Sequence, residues 1–159
     1  ADIVYQNPAL AFLAYDDEHH RFAFANLELL KPGGDGAIAE VGVNHIAFTY
    51  ASAGDLLDTY ARLKAEGIEP YWPVHHGMTL SLYYRDPDFN RVELQVDAMP
   101  VEAANAYIAG PGFAANPLGF VVDPDALLAA RHAGATEQQL LALPNSEPTP
   151  LPIEHGLTS

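Results

Sequence analysis

The sequence predicts an α+β fold, a mixed β-sheet carrying helices, and three observations lead to it. Short alternating apolar segments fill the first two-thirds of the 159 residues. Over 44–97 they follow the order strand, helix, strand, strand, strand. Over 1–36 stand three strands, the same unit without its opening strand and helix, so the repeat is one of topology.

The elements follow in order. Ile3–Tyr5, Ala11–Tyr15 and Arg21–Leu27 read as strands, with Asp16-Asp17-Glu18 as a polar turn between the last two. Lys31-Pro32-Gly33-Gly34-Asp35-Gly36 is a loop, and His45–Tyr50 a strand. Ser52 is placed to cap a helix over Asp55–Glu66, whose Leu56, Tyr60 and Leu63 share one face and which Gly67 ends. Strands are expected near Tyr71–His75, Thr79–Tyr84 and Arg91–Val96. After Met99 helices are expected at Ala103–Ile108, from the Asp123-Pro124 cap to Arg131, and behind the capping-box pair Thr136 and Gln139. Pro144, Pro148, Pro150 and Pro152 make the end an extended arm or mobile tail, or a clasp for a second subunit. The organisation expected is one domain over 1–143, with a partial first unit at 1–36, a second at 44–97 and a helical extension at 100–143, followed by a proline-rich tail at 144–159.

Composition excludes several classes of function. A formal charge of −14 repels phosphate backbones and anionic lipid, so neither nucleic acid nor a membrane is an expected partner. The absence of cysteine removes disulfides and thiolate metal sites and leaves His, Asp, Glu or water to hold a metal. With no secretory or spanning apolar run, a cytoplasmic location is the default expectation.

Strand periodicity selects the chemistry-bearing side chains. In His45–Tyr50 the period of two puts His45, Ala47 and Thr49 on one face; in Arg91–Val96 it puts Glu93 and Gln95 together. If both faces line one concave sheet, His45 and Glu93 converge as metal ligands, two-thirds of a 2-His-1-carboxylate set. Taken singly, a histidine at a strand start is more often a satisfied structural residue, and a glutamate on a polar face is usually solvated.

Further residues outweigh that reading. Asp17-Glu18-His19-His20-Arg21-Phe22-Ala23-Phe24, Asn44-His45-Ile46-Ala47-Phe48, His75-His76-Gly77-Met78-Thr79-Leu80-Ser81-Leu82-Tyr83-Tyr84, Asp86-Pro87-Asp88 and Val92-Glu93-Leu94 resemble, in order, the vicinal oxygen chelate superfamily. More narrowly they are similar to its small type I extradiol dioxygenases. The resemblance spans about Ala1 to Asp97, and the stretch from Asn116 to about Leu143 looks like the C-terminal extension of those small forms.

The resemblance implies paired βαβββ modules closing a cup-shaped sheet around one Fe(II), with Mn(II) as the occasional substitute. It implies His45 and Glu93 as metal ligands, His20 as acid–base histidine, Tyr83 as a hydrogen-bonding partner of the substrate oxygen, and His76 as a second active-site histidine, with His75 the neighbouring candidate. The strand that carries the other histidine ligand is not in this sequence. That ligand is expected upstream of Ala1, in about 20 to 25 further residues, the length of a strand and helix. A swapped arrangement would use His155, and loss of the metal site would leave a binding module. Phe89 stands where the family has Gly, so the turn is expected to adopt a conformation compatible with a side chain and to reach a neighbouring loop. Phe22, Phe24 and Trp72 read as core or as the lining of an aromatic cavity, Trp72 as core. Tyr84 is assigned to packing, His19 to the surface or to support of its neighbour, and His132 and His155 to solvent.

The implied partners are a small catecholic substrate and O₂, and the implied assembly is a homodimer. A neutral imidazole near pH 7 can take a catechol proton and return it later in the cycle, which suits His20. His76 and Tyr83 would stabilise developing oxygen charge through hydrogen bonds. The alternatives within the superfamily are a glyoxalase-like lyase or isomerase and a metal-free protein that sequesters an aromatic ligand, neither of which needs the set His20, His76 and Tyr83.

Overall fold

In the computed structural model, which describes residues 1–26, 29 and 42–156, the chain forms two compact units. The mixed α+β architecture expected from the sequence is present, as two sheets with several helices. The loop expected at Lys31–Gly36 and the end of the strand expected to reach Leu27 lie outside the described residues.

The first unit comprises 1–44, 99–117 and 150–159. Strands β1 (Asp2–Gln6), β2 (Leu10–Ala14) and β3 (Phe22–Ala25) form an antiparallel sheet in that order. The strands alternate too briefly to bury much alone. Phe12 is buried against the rings of Tyr5, at 5.5 Å between centroids, and Phe113, at 6.2 Å. Phe113 sits on α3 (Pro111–Ala115), which Pro111 starts at the first helical turn and which the sequence reading missed. Helix α2 (Val101–Ile108) precedes it and begins two residues earlier than its apolar pattern suggests. Phe22 and Phe24, expected in a core or a cavity lining, are 52% and 57% exposed, on an edge strand whose four residues are all exposed.

The second unit comprises 45–98 and 118–149. It runs β4 (His45–Tyr50), α1 (Ala53–Ala65), β5 (Trp72–His75), β6 (Thr79–Arg85), β7 (Arg91–Asp97), β8 (Phe120–Val121), α4 (Pro124–His132) and α5 (Glu137–Leu140). The sheet order is β4-β7-β6-β5-β8, with β4 and β7 parallel and the other pairs antiparallel. A parallel β4–β7 pair is what a crossover helix between the first and second strands allows.

Helix α1 forms where Ser52 accepts a hydrogen bond from the Asp55 amide, and it ends ahead of Gly67, whose φ of +77° lies in the left-handed region. Its Ala53, Leu56, Leu57 and Tyr60 bury against Leu80, Leu82, Tyr84 and Val96 of the sheet and Leu140 of α5. Burial of a leucine or aromatic side chain contributes about 1.5–3 kcal/mol each, so this layer supplies most of the unit's stabilisation. Tyr84 belongs to it, as expected. The reciprocal Thr136–Gln139 capping box is present, and the Glu137 carboxylate accepts from the Ala53 amide, tying the start of α5 to the start of α1.

Three expectations change. Strand β8, unread in the sequence because two residues carry no period, adds a fifth strand by pairing His75 with Phe120. The proline-rich end is no free arm through Thr149: Pro148 bridges to Phe120, and the Thr149 amide donates to the Gly119 carbonyl at 2.9 Å. His155, expected in solvent, is 4% exposed in a 3₁₀ turn of the first unit, where its carbonyl accepts from the Asn44 side chain at 3.0 Å. His132 is exposed, as expected.

Phe89 also departs from expectation. Its φ of +66° shows that the turn keeps the left-handed conformation that glycine favours, at a cost of about 1–2 kcal/mol for an L-residue. The Asp86 carboxylate holds that turn by accepting from the amides of Asp88 and Asn90, and the Phe89 ring stands 73% exposed. Local hydrogen bonds to Asp86 outweigh the steric preference of one residue. Among the described residues, no helix is long and apolar enough to cross a membrane.

Candidate active site

Four neighbouring strands of the second unit bring most of the candidate residues together. β4 and β7 pair with Ala47 opposite Glu93. His45, two residues before Ala47, therefore shares a face with Glu93. On the other side of β7, Tyr83 of β6 lies directly opposite Glu93, and Trp72 of β5 lies opposite Tyr83. Four side chains thus stand on one face of one sheet by register alone.

Their contacts are close. Nε2 of His45 lies 3.1 Å from Oε2 of Glu93. The His45 ring is edge-on to Tyr83, 5.3 Å between centroids, while the Trp72 indole stacks on Tyr83 at 4.9 Å and 25°. The Tyr83 hydroxyl hydrogen-bonds Glu93 and lies 3.1 Å from Nε2 of His76. His76 follows β5, and its other ring nitrogen, Nδ1, is 2.7 Å from the Leu118 carbonyl. Trp72 is core, as the sequence suggests, at 5% exposure, yet it also forms the wall behind Tyr83.

The geometry chooses between the adjacent histidines. His75 faces away from Tyr83. Its Nε2 meets the Leu141 carbonyl at 3.1 Å, and its Nδ1 accepts from the Gly77 amide at 3.1 Å. With a carbonyl on one nitrogen and an amide on the other, His75 is a neutral structural donor–acceptor. His76 is the histidine that joins Tyr83 and Glu93.

The electrostatics fix the protonation states. Burial pushes the Glu93 carboxyl up, but the hydrogen bond and charge of His45, with His76 and Ser81 behind them, outweigh it and bring the group down to about 2. Glu93 is a carboxylate across the physiological range although it is only 5% exposed. Burial, with the negative Glu93 beside it, raises the Tyr83 phenol well above its usual value, so Tyr83 remains a hydrogen-bond donor. Burial lowers His76 below the ordinary histidine value, and the imidazole is neutral near pH 7.

His20 belongs to the first unit. Its ring stacks on Phe12 at 4.5 Å and 17°, and its Nδ1 lies 2.7 Å from Nδ1 of His19. One of these two nitrogens donates and the other accepts, so the pair shares a proton. His19 itself is 4% exposed, which places it as a buried neighbour of His20 and not at the surface.

Reasoning from the sequence missed Leu118, Gly119 and Thr149. The Leu118 carbonyl bonds His76, the Gly119 carbonyl accepts from Thr149, and Thr149 Oγ1 accepts from the Trp72 indole N–H at 2.9 Å. Backbone acceptors leave no trace in residue type, and only the Pro117-Leu118-Gly119 turn pattern marks the place.

Could this set hold a divalent cation? Two donors at right angles on one ion, each about 2.1 Å from it, stand about 3 Å apart. His45 Nε2 and Glu93 Oε2, 3.1 Å apart, meet that spacing, and Glu93 supplies a permanent charge. The pair therefore fits as neighbouring ligands. Among the described residues no third histidine, aspartate or glutamate joins these two within ligand reach.

The strand–helix–strand–strand–strand sheet with His45 on its first strand and Glu93 on β7 is set beside known proteins by comparison of the sequence. Residues 2–94 match the model of the Glyoxalase/Bleomycin resistance protein/Dioxygenase superfamily, and the chain belongs to that superfamily. Two curated relatives are similar over most of its length. The chain is 47% identical over 146 residues to Biphenyl-2,3-diol 1,2-dioxygenase 3 of Rhodococcus globerulus, covering 88% of this chain and 74% of the relative. It is 45% identical over 136 residues to Biphenyl-2,3-diol 1,2-dioxygenase 2 of the same organism, covering 84% and 70%. No solved structure matches.

Proposed function

We propose that the protein is an Fe(II)-dependent extradiol dioxygenase that cleaves a catecholic ring beside its diol. The observation that carries the reading is the His45–Glu93 pair, 3.1 Å apart at the spacing of neighbouring ligands, with Tyr83 and His76 beside it. The likeness to two biphenyl-2,3-diol dioxygenases supports it. Iron bound by His45 and Glu93 would supply the charge that acidifies a catechol hydroxyl and a meeting place for diol and O₂.

The chain's own groups do the rest. Glu93, ionised although buried, contributes negative charge without changing its protonation state. Tyr83 donates a hydrogen bond at the substrate oxygen, and the Trp72 indole behind it keeps the phenol in one orientation. His20, whose proton is shared with His19, takes a catechol proton and returns it. The carbon–carbon bond next to the diol breaks, both atoms of O₂ end in the product, and the ring itself is the reductant.

The test is oxygen uptake with visible absorbance after anaerobic Fe(II) loading, against simple and bicyclic catechols including 2,3-dihydroxybiphenyl. Stoichiometric uptake with a yellow product is expected. Bound iron without uptake across the panel, in a protein that isomerises or cleaves a thiol adduct, would move the reading to a lyase or isomerase. Tight binding of an aromatic ligand without metal would move it to a sequestering protein.

A further inference from the structure

A closed ring of contacts surrounds His76, all within the second unit. Tyr83 stacks on Trp72, Trp72 donates to Thr149, and the Thr149 amide donates to Gly119. The preceding residue, Leu118, turns its carbonyl onto Nδ1 of His76, whose Nε2 returns to Tyr83. The ring closes only because Gly119 lies directly on the β5–β6 turn. Its φ is +99°, and a Cβ there would collide with the His75 carbonyl oxygen and fall 2.8 Å from the His76 Cα. No side chain fits in that space.

We propose that the Leu118 carbonyl, seated by Gly119, is the positioning group of His76, holding the ring as its Nδ1–H tautomer with the Nε2 lone pair turned to Tyr83. A carbonyl oxygen can only accept, so at 2.7 Å Nδ1 must carry the hydrogen. In the neutral imidazole Nε2 is then an acceptor, and the Tyr83 O–H is the donor toward it. Tyr83 has one proton, for which Glu93 and His76 compete until a substrate oxygen accepts that hydrogen bond instead. The C-terminal segment thereby decides where that proton can go, and neutral His76 serves as an acceptor until it gains a second proton. The consequence for turnover rests on the ring-cleavage reading; the tautomer does not.

Long-range ¹H–¹⁵N correlation on ¹⁵N-labelled, iron-free protein reads the His76 tautomer directly, with His76→Asn supplying the assignment. A protonated Nδ1 and bare Nε2 are expected. Gly119→Ala should mix the tautomers and lower kcat about ten- to a hundredfold with little change in KM, the effect of a small misplacement of a reacting group. Gly134→Ala is the control: its φ is also positive, at +92°, but nothing lies within 4 Å of the added carbon, so it strains the backbone without reaching His76. An Nε2–H tautomer in the wild type overturns the proposal whether or not Gly119→Ala folds. So does a Gly119→Ala protein that keeps the wild-type tautomer and turnover. If no catechol is cleaved by the wild type while the Nδ1–H tautomer is seen, the ring-cleavage reading fails and the positioning of His76 stands.

Discussion

Tyr83 and Glu93 are directly paired residues of β6 and β7, and the hydroxyl of one hydrogen-bonds the carboxylate of the other. Tyr83→Phe keeps the ring that stacks on Trp72 and removes only the donor. Loss of one hydrogen bond aimed at developing oxygen charge lowers kcat about 10²–10³-fold. Iron content should be unchanged, so steady-state oxygen uptake alongside metal analysis checks this; loss of iron together with activity would show that the phenol supports the metal site instead.

Glu93→Ala removes the one permanent negative charge of the His45–Glu93 pair. Iron affinity should fall by more than about 100-fold, the upper end for losing a group that merely supports a ligand. The α1-side core does not include Glu93, and far-ultraviolet circular dichroism should show the helices retained. A variant that still binds iron and turns over would defeat the assignment.

His20→Ala separates proton transfer from metal binding. It should keep full iron content and lose about 10²–10⁴-fold in kcat, the range for removal of a general acid–base group. Rescue by added imidazole would show that the missing function is the proton carrier. An unchanged rate would return His20 to a packing role on Phe12.

His75 makes the fold sensitive to acid. Burial lowers it below 6.5, more than the Leu141 hydrogen bond raises it, so the folded protein holds His75 neutral while the unfolded chain protonates near 6.5. The unfolded state then binds more protons below that pH, and the stabilisation, fully present above 6.5, is lost as pH falls through the lower folded value. Urea midpoints measured from pH 7.5 down to pH 5 should decline. In His75→Gln, which keeps a donor for Leu141 but cannot titrate, the decline should be shallower; an identical slope would place the sensitivity elsewhere.

Much of the second unit is legible in the sequence because its signals are local. Alternation groups His45 with Ala47 and Glu93 with Gln95, which the β4–β7 register then brings to one face, and Ser52, Gly67 and the Thr136–Gln139 pair mark helix ends by chemistry confined to a few residues. Phe89 shows the complementary limit. Its residue type argues against a left-handed turn, but the Asp86 carboxylate, bonded to the amides on either side of it, sets the backbone there.

The sequence by itself determined the α+β class and the strand–helix–strand–strand–strand order, since each depends on the periodicity and type of neighbouring residues, and it offered His45 and Glu93 as ligand candidates through the family resemblance. Only the tertiary structure decided that His76 and not His75 meets Tyr83, that Trp72 backs the same phenol, and that Leu118, Gly119 and Thr149 close the ring. Those choices rest on a main-chain carbonyl brought to His76 across 42 residues of chain, on the Thr149 hydroxyl brought to Trp72 across 77, and on a glycine's missing Cβ. A backbone acceptor has no letter in the sequence, and its direction exists only once the sheet has formed.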